Sequence, residues 1–178
     1  MEKVIYLASG RAKLKYSNVV YNDYKVKIDL VCDMMTVDLS AYDILIATPP
    51  CNYYSRANNS REISKYAQET KYLLPKIIDK FIATGKPFIV ENVRNYPLFL
   101  KLGLYDKNCF IYRHGRHTYW TNIPFNPQGI KQEYDFKQVP GYGCVRLKSY
   151  VQGGDNVNKV LDYFIECVIS SRRYCNVD

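Results

Sequence analysis

The chain has 178 residues, 47% of them hydrophobic and 24% charged, with a formal net charge of +8 and a pI near 9.1. That length suits one compact domain spanning 1–178, which would bury about 70% of the unfolded chain's surface. The positive balance favours polyanionic partners. No apolar stretch reaches the roughly 20 residues a membrane-spanning helix needs, and the N-terminus carries no signal-peptide cleavage pattern, so no membrane partner is expected. The six cysteines contain no C-x-x-C pair and the two histidines lie apart from them, so no metal site is indicated. Free cysteines in a reducing cytoplasm are expected.

In chain order, Lys3 to Ala8 predicts a strand, followed by Ser9 and Gly10. The interval from Gly10 to Val19 is too short for a full helix with its turns. Asn18 to Tyr21 predicts a second strand that ends near Asp23, and Lys27 to Cys32 a third that ends at Asp33. Tyr42-Asp43-Ile44-Leu45-Ile46-Ala47-Thr48-Pro49-Pro50-Cys51 holds a continuous apolar run, the pattern of a strand buried on both faces in a parallel sheet. Ile63 to Ala83 has apolar residues at helical spacing and is closed by Gly85. Gly85 to Val93 predicts another buried strand, which makes a βαβ unit. Two further strands, Asn108 to Tyr112 and Tyr119 to Thr121, flank the basic run Arg113-His114-Gly115-Arg116-His117. The segment 123–150, and above all Phe125 to Tyr150 with its prolines and glycines, predicts loop. Asn158 to Ser170 predicts an amphipathic helix. No repeat or linker interrupts this order, which points to a three-layer α/β sandwich with a mostly parallel central sheet.

The βαβ unit concentrates the chemistry. Ligands of open α/β sheets bind beyond the carboxyl ends of the strands, and there the Pro49-Pro50 brace delivers the Cys51 thiol while the next strand delivers Glu91 and Asn92. A thiol alone is read equally well as a small buried apolar residue. A thiol facing a carboxylic acid is a chemical pair, a nucleophile beside a proton donor. A carboxyl that keeps its proton for such a role calls for a glutamate whose pKa burial has raised. Asn92 would hold the loop through backbone hydrogen bonds, and a nearby basic run would favour the thiolate.

Pro49-Pro50-Cys51 followed by Glu91-Asn92-Val93 resembles the cytosine carbon-5 DNA methyltransferase family, whose nucleophile loop and glutamate motif carry these letters in this order. The run Arg113 to His117 resembles the arginine motif of that family, and Gln152-Gly153-Gly154-Asp155-Asn156-Val157 its last conserved motif. The resemblance implies a truncated methyltransferase-like fold and methylation of cytosine in DNA through a Cys51 adduct, with Glu91, Asn92, Arg113 and Arg116 in the catalytic set. It implies S-adenosylmethionine as cofactor, beside Ser9, Gly10 and Pro49, with Asp23 at the ribose, Asp33 at the adenine amino group, and Asp155 or Asn156 closing over it. Pro50, Tyr53, Tyr54, Ser55, His117 and Tyr119 are the expected substrate contacts. To reach a base in duplex DNA, such an enzyme flips it from the stack at roughly a few kcal/mol.

Three departures from the family shape the expectation. The cofactor turn keeps one glycine, Gly10, and only about thirty residues lie where a large target-recognition region belongs. Arg113 and Arg116 are also three apart, so on one strand they would point to opposite faces unless the segment bulges or a histidine substitutes. Three classes therefore remain open. They are a minimal methyltransferase, acting on duplex or single-stranded DNA or with a partner subunit for recognition; a methyltransferase-derived binding protein without cofactor; and a pyrimidine-modifying enzyme acting on nucleotides or single strands.

Overall fold

The computed structural model describes residues 1–130, 136–139, 143–146 and 154–175, with side chains for 1–130 and 157–171. Seven strands form one sheet in the order β3-β2-β1-β4-β5-β7-β6. They are β1 (Val4–Leu7), β2 (Val19–Asp23), β3 (Leu30–Val31), β4 (Ile44–Ala47), β5 (Phe88–Val93), β6 (Phe110–His114) and β7 (His117–Thr121). The first five are parallel, β7 runs antiparallel to β5, and β6 closes the edge as a hairpin with β7. The strands at the centre are short and aliphatic because both faces are covered: all four residues of β1 and of β4 are buried.

Alternation along these strands sorts side chains into two cores. On one face Ile5, Leu7, Leu45, Ala47, Phe88, Val90 and Trp120 pack against Leu74, Ile77, Ile78 and Phe81, which form the buried stripe of α2 (Leu73–Thr84). On the other face Val4, Tyr6, Ile44, Ile46, Ile89 and Tyr119 meet Val160, Leu161, Phe164, Ile165 and Val168 of α4 (Gly154–Cys175). The architecture is thus an α/β sandwich with helices on both faces of a mostly parallel sheet.

Several elements differ from the sequence expectation. The single helix expected over Ile63 to Ala83 is two, α1 (Lys65–Thr70) and α2, and Pro75 explains the break. Proline has no N–H for the carbonyl four residues back, so the Lys71 carbonyl is released from the helical ladder and accepts the Tyr54 hydroxyl instead. Ser64 caps α1 by accepting the Ala67 amide at 3.3 Å, while Gly85 ends α2 in the left-handed conformation at φ 66°. The third strand is only Leu30–Val31, because the Asp29 carboxylate takes the Tyr21 amide at 2.9 Å and ends the ladder early. A short helix not foreseen, α3 (Tyr96–Lys101), is capped by Asn95, whose amide also donates to the Tyr54 carbonyl at 2.6 Å.

No helix stands between β1 and β2, as their spacing requires. The stretch expected to be loop holds a 3₁₀ turn at Pro127–Gly129 and a hairpin of β8 (Phe136–Val139) with β9 (Gly143–Arg146). The two strands pair antiparallel, Phe136 with Arg146 and Val139 with Gly143. Among the described residues no helix is long and apolar enough to cross a membrane. Among them, too, no group of three metal-ligating side chains assembles.

Candidate functional site

The connection order reverses between β1 and β4, which are neighbours although β2 and β3 intervene in sequence. A crevice outside the carboxyl ends of the strands at such a switch point is where doubly wound sheets bind ligands. Three loops meet this edge: Ala8 to Gly10 after β1, Thr48 to Cys51 after β4, and the end of β5 at Glu91 and Asn92.

The β1 loop is strained and self-bonded. Ala8 lies at φ 52° and Gly10 at φ 59°; a left-handed alanine costs roughly 1–2 kcal/mol. Thr48 Oγ1 lies 3.0 Å from the Ala8 carbonyl oxygen and 3.3 Å from the Tyr6 hydroxyl, so it ties the ends of β1 and β4 together. The Ser9 amide and hydroxyl both donate to the Asn22 carbonyl, at 3.0 and 3.2 Å. The Gly10 amide donates to Asp23 Oδ2 at 3.0 Å, while Asp23 Oδ1 accepts the Lys25 and Val26 amides. Asp33 is exposed and accepts the Met35 amide through Oδ1 at 2.9 Å.

These contacts decide how well S-adenosylmethionine fits. The Asp23 and Asp33 carboxylates fit hydroxyl and amino donors of a nucleoside, and next to them the buried Asn22 Oδ1 has no hydrogen-bond partner. The Ser9 and Gly10 amides, which in a glycine-rich turn would face the ligand, are spent inside the protein. Asp155 and Asn156 fall at the start of α4, but their side chains lie outside the described residues.

The β4 loop carries the thiol. Pro49 is buried, and its carbonyl accepts the side-chain amide of buried Asn92 at 3.0 Å, while Asn92 Oδ1 accepts the Val93 amide at 2.9 Å. Asn92, near the carboxyl end of β5, thus fastens the loop through hydrogen bonds to its backbone. The Cys51 carbonyl accepts the Tyr54 and Ser55 amides at 3.0 and 2.8 Å, giving one tight turn with Pro50 half-buried ahead of it. Cys51 is exposed, whereas Cys32, Cys109 and Cys167 are half-buried. Burial of its thiol, and then the Glu91 charge, push its pKa up. This reverses the expectation of a thiolate favoured by a basic neighbour.

Glu91 is 7% exposed at the end of β5. It pairs in register with Tyr119, and His117 lies diagonally beside it on the same face of β7. His117 Nδ1 is 2.5 Å from Glu91 Oε1. Burial works against the charged imidazole, but the Glu91 charge and hydrogen bond outweigh it, and the His117 pKa is raised. Tyr119, 1% exposed, has its phenol held well above its ordinary value by burial and then by Glu91 and Tyr6.

The basic run does not lie on one strand. It turns over a hairpin at Gly115, φ 58°, and Arg116. That turn sends Arg113 to the sheet face opposite Glu91, with Thr118 and Asn92 as its register partners. There its guanidinium lies 5.9 and 6.0 Å from the Tyr96 and Tyr105 ring centres. Arg113 is therefore not brought to Glu91. Arg116 is exposed beside His117, whose charged form it disfavours. Tyr53 and Tyr54, expected to touch substrate, are 3% and 0% exposed. They pack edge-on to each other inside the α2 core, because two large rings following a tight turn bury themselves when a helix lies opposite. Ser55 stays half-buried at the turn, its carbonyl accepting Arg61 at 2.8 Å.

Sequence reasoning missed Tyr6, Thr48 and Tyr66. Tyr6 is the one aromatic in an aliphatic strand, a signal that was present. Tyr66 is 41% exposed on α1, with Lys25 Nζ 5.0 Å from its ring centre, so α1 and the loop after β2 meet beside the crevice. Compared with protein-family models and with curated proteins, the chain gives no match.

Proposed function

We propose that this protein is a minimal, methyltransferase-like enzyme that methylates cytosine at carbon 5 in DNA, with Cys51 as nucleophile and Glu91 as the acid at the pyrimidine's N3 edge. The observation that carries the reading is the convergence of two adjacent parallel strands: β4 ends in the Pro49-Pro50-Cys51 turn, β5 ends in Glu91 and Asn92, and Asn92 locks the first to the second at 3.0 Å. The Glu91 charge acts on the Cys51 thiol, which supports a reading in which one flat ring lies against both.

Each residue has a definable task. Asn92 fixes the height of Cys51 over the sheet edge, Tyr119 walls the carboxyl from water, and the Pro49-Pro50 brace keeps the thiol from turning into the core. The thiol gives its proton to solvent water, its sulfur bonds to carbon 6, and Glu91 gives a proton to N3 as charge builds on the ring. Bound S-adenosylmethionine would supply the methyl group. Asp23 at the end of β2, Asp33 after β3 and Pro49 after β4 are the residues that would hold it.

A cytosine fluorinated at carbon 5 within a DNA strand, offered with S-adenosylmethionine, tests the reading. The expected result is a stable covalent adduct on Cys51, absent in Cys51→Ser. Adduct on another residue, or none, rejects it. One observation favours a second reading: the self-bonded amides of Ser9 and Gly10 suit a protein that keeps the base pocket and has lost the cofactor.

A further inference from the structure

We propose that Glu91 and His117 work as one proton-sharing couple, in which Glu91 Oε2 hands a proton to the N3 edge of the pyrimidine and His117 Nε2 takes the replacement from solvent. The inference rests on the assignment of Glu91 made above and adds a positioning residue that the resemblance does not supply.

The geometry has an inside and an outside. The Nδ1 to Oε1 contact of 2.5 Å uses one atom from each group, and Glu91 Oε2 and His117 Nε2 make no hydrogen bond to any described residue. The Glu91 side chain is 10% exposed and that of His117 24%, so the carboxyl is the more sheltered group and the imidazole the more open to solvent. The surroundings contain few competitors. Cys51 acts on the pair from the β4 loop, Tyr6 from β1, Tyr119 from β7 itself, and exposed Arg116 from the hairpin turn. His114, the register partner of His117 on β6, is occupied by the Ile130 carbonyl oxygen at 2.9 Å. The side chains that described α4 residues bury on this face are apolar.

The proton count closes. In its donating form the couple holds one proton on Glu91 Oε2 and one on His117 Nδ1, hydrogen-bonded to Oε1, which is the same proton count as the imidazolium–carboxylate pair with which it exchanges. As the sulfur bonds to carbon 6, the π electrons move toward N3, and N3 takes the Oε2 proton. The carboxylate left behind is neutralised when water protonates His117 at Nε2. Once carbon 5 carries its new methyl group, solvent water takes the carbon-5 proton and the carbon 6–sulfur bond breaks to release the thiolate; N3 then returns its proton to Oε2, and Nε2 releases its own to solvent. While Glu91 holds a proton it carries no charge to oppose the Cys51 thiolate, so the couple readies the acid and the nucleophile together.

The test has two arms. Ring-nitrogen NMR of the wild-type protein should place the His117 midpoint above the ordinary imidazole value of about 6.5, and Glu91→Gln should bring it down. A wild-type midpoint at or below that value overturns the couple without any variant. In the second arm, the rate of fluorocytosine trapping is followed against pH. The wild-type rate should fall on the alkaline side as His117 loses its proton. His117→Gln should move that fall to lower pH and slow trapping at neutral pH by about 10²-fold, the low end expected for lost acid assistance, while Cys51 remains the adduct site. Wild-type trapping with an unshifted profile in His117→Gln rejects the couple alone. No wild-type trapping rejects the methyltransferase reading and the couple with it.

Discussion

Glu91 and His117 meet at 2.5 Å across two neighbouring antiparallel strands, at a site where the sequence alone calls for a lone, buried glutamic acid. The register of β5 against β7 produces this contact: pairing Glu91 with Tyr119 places His117 one pleat further along on the same face. A buried carboxylate that faces an imidazole is compensated, not isolated, and its proton becomes a property of the pair.

The pair makes stability depend on pH. His117 has a raised pKa in the folded protein, so its contribution is fully present below the ordinary imidazole value and is lost as pH rises through the folded value. Glu91→Gln should therefore cost more stability at pH 5.5 than at pH 9. Urea denaturation at the two pH values measures the difference, and equal losses would contradict it.

Cys51 should alkylate selectively but late. It is the exposed thiol among Cys32, Cys51, Cys109 and Cys167, yet burial and Glu91 push its pKa up. Iodoacetamide labelling followed by mass spectrometry should modify Cys51 first, with a midpoint above that of a free thiol. Glu91→Gln should lower the midpoint by removing the opposing charge.

Asn92→Ala should destabilise the fold by about 1–3 kcal/mol, because it strands the buried Pro49 carbonyl. The same change should slow Cys51 adduct formation beyond what the stability loss explains. Chemical denaturation and trapping kinetics on the folded fraction separate the two effects.

S-adenosylmethionine should bind weakly, since the Ser9 and Gly10 amides are already bonded within the protein. Asp33→Ala should weaken it further by about 0.5–1.5 kcal/mol, the value of one hydrogen bond. Calorimetric titration is the measurement. An absence of heat from folded protein at millimolar cofactor would favour the binding-protein reading.

Affinity for DNA should fall steeply with salt, given the net charge of +8. Single strands should bind at least as well as duplex, because stacking on exposed rings needs an unpaired base. Arg113→Ala should weaken binding to both and lessen the salt slope, without altering Cys51 alkylation, because Arg113 lies on the far face between Tyr96 and Tyr105.

The parallel centre of the sheet was legible because its strands are continuous apolar runs, and Asn92 was legible because an amide near the end of a buried strand has few roles. Other features depended on partners that the sequence does not display. Tyr53 and Tyr54 adjoin the nucleophile in sequence, but α2 offers them a core. Arg113 precedes a turn and not a bulge, and that choice reverses the face it serves. The split helix was written in Pro75, although helical periodicity on both sides masked it. The pairing of His117 with Glu91 depended on strand register, which local sequence does not specify.

The bond from the Tyr54 hydroxyl to the Lys71 carbonyl has a mechanical consequence. The Tyr54 amide holds the Cys51 carbonyl, its ring is clamped in the core, and its hydroxyl grips the joint between α1 and α2. One side chain thus makes the thiol-bearing turn and the helix joint a single lever. Strain imposed when a bulky adduct seats on Cys51 would travel along it to the α2 entrance. Hydrogen exchange there, at the Lys76 amide bonded to Tyr72 at 3.2 Å, would register occupancy of a site some twenty residues upstream in the chain.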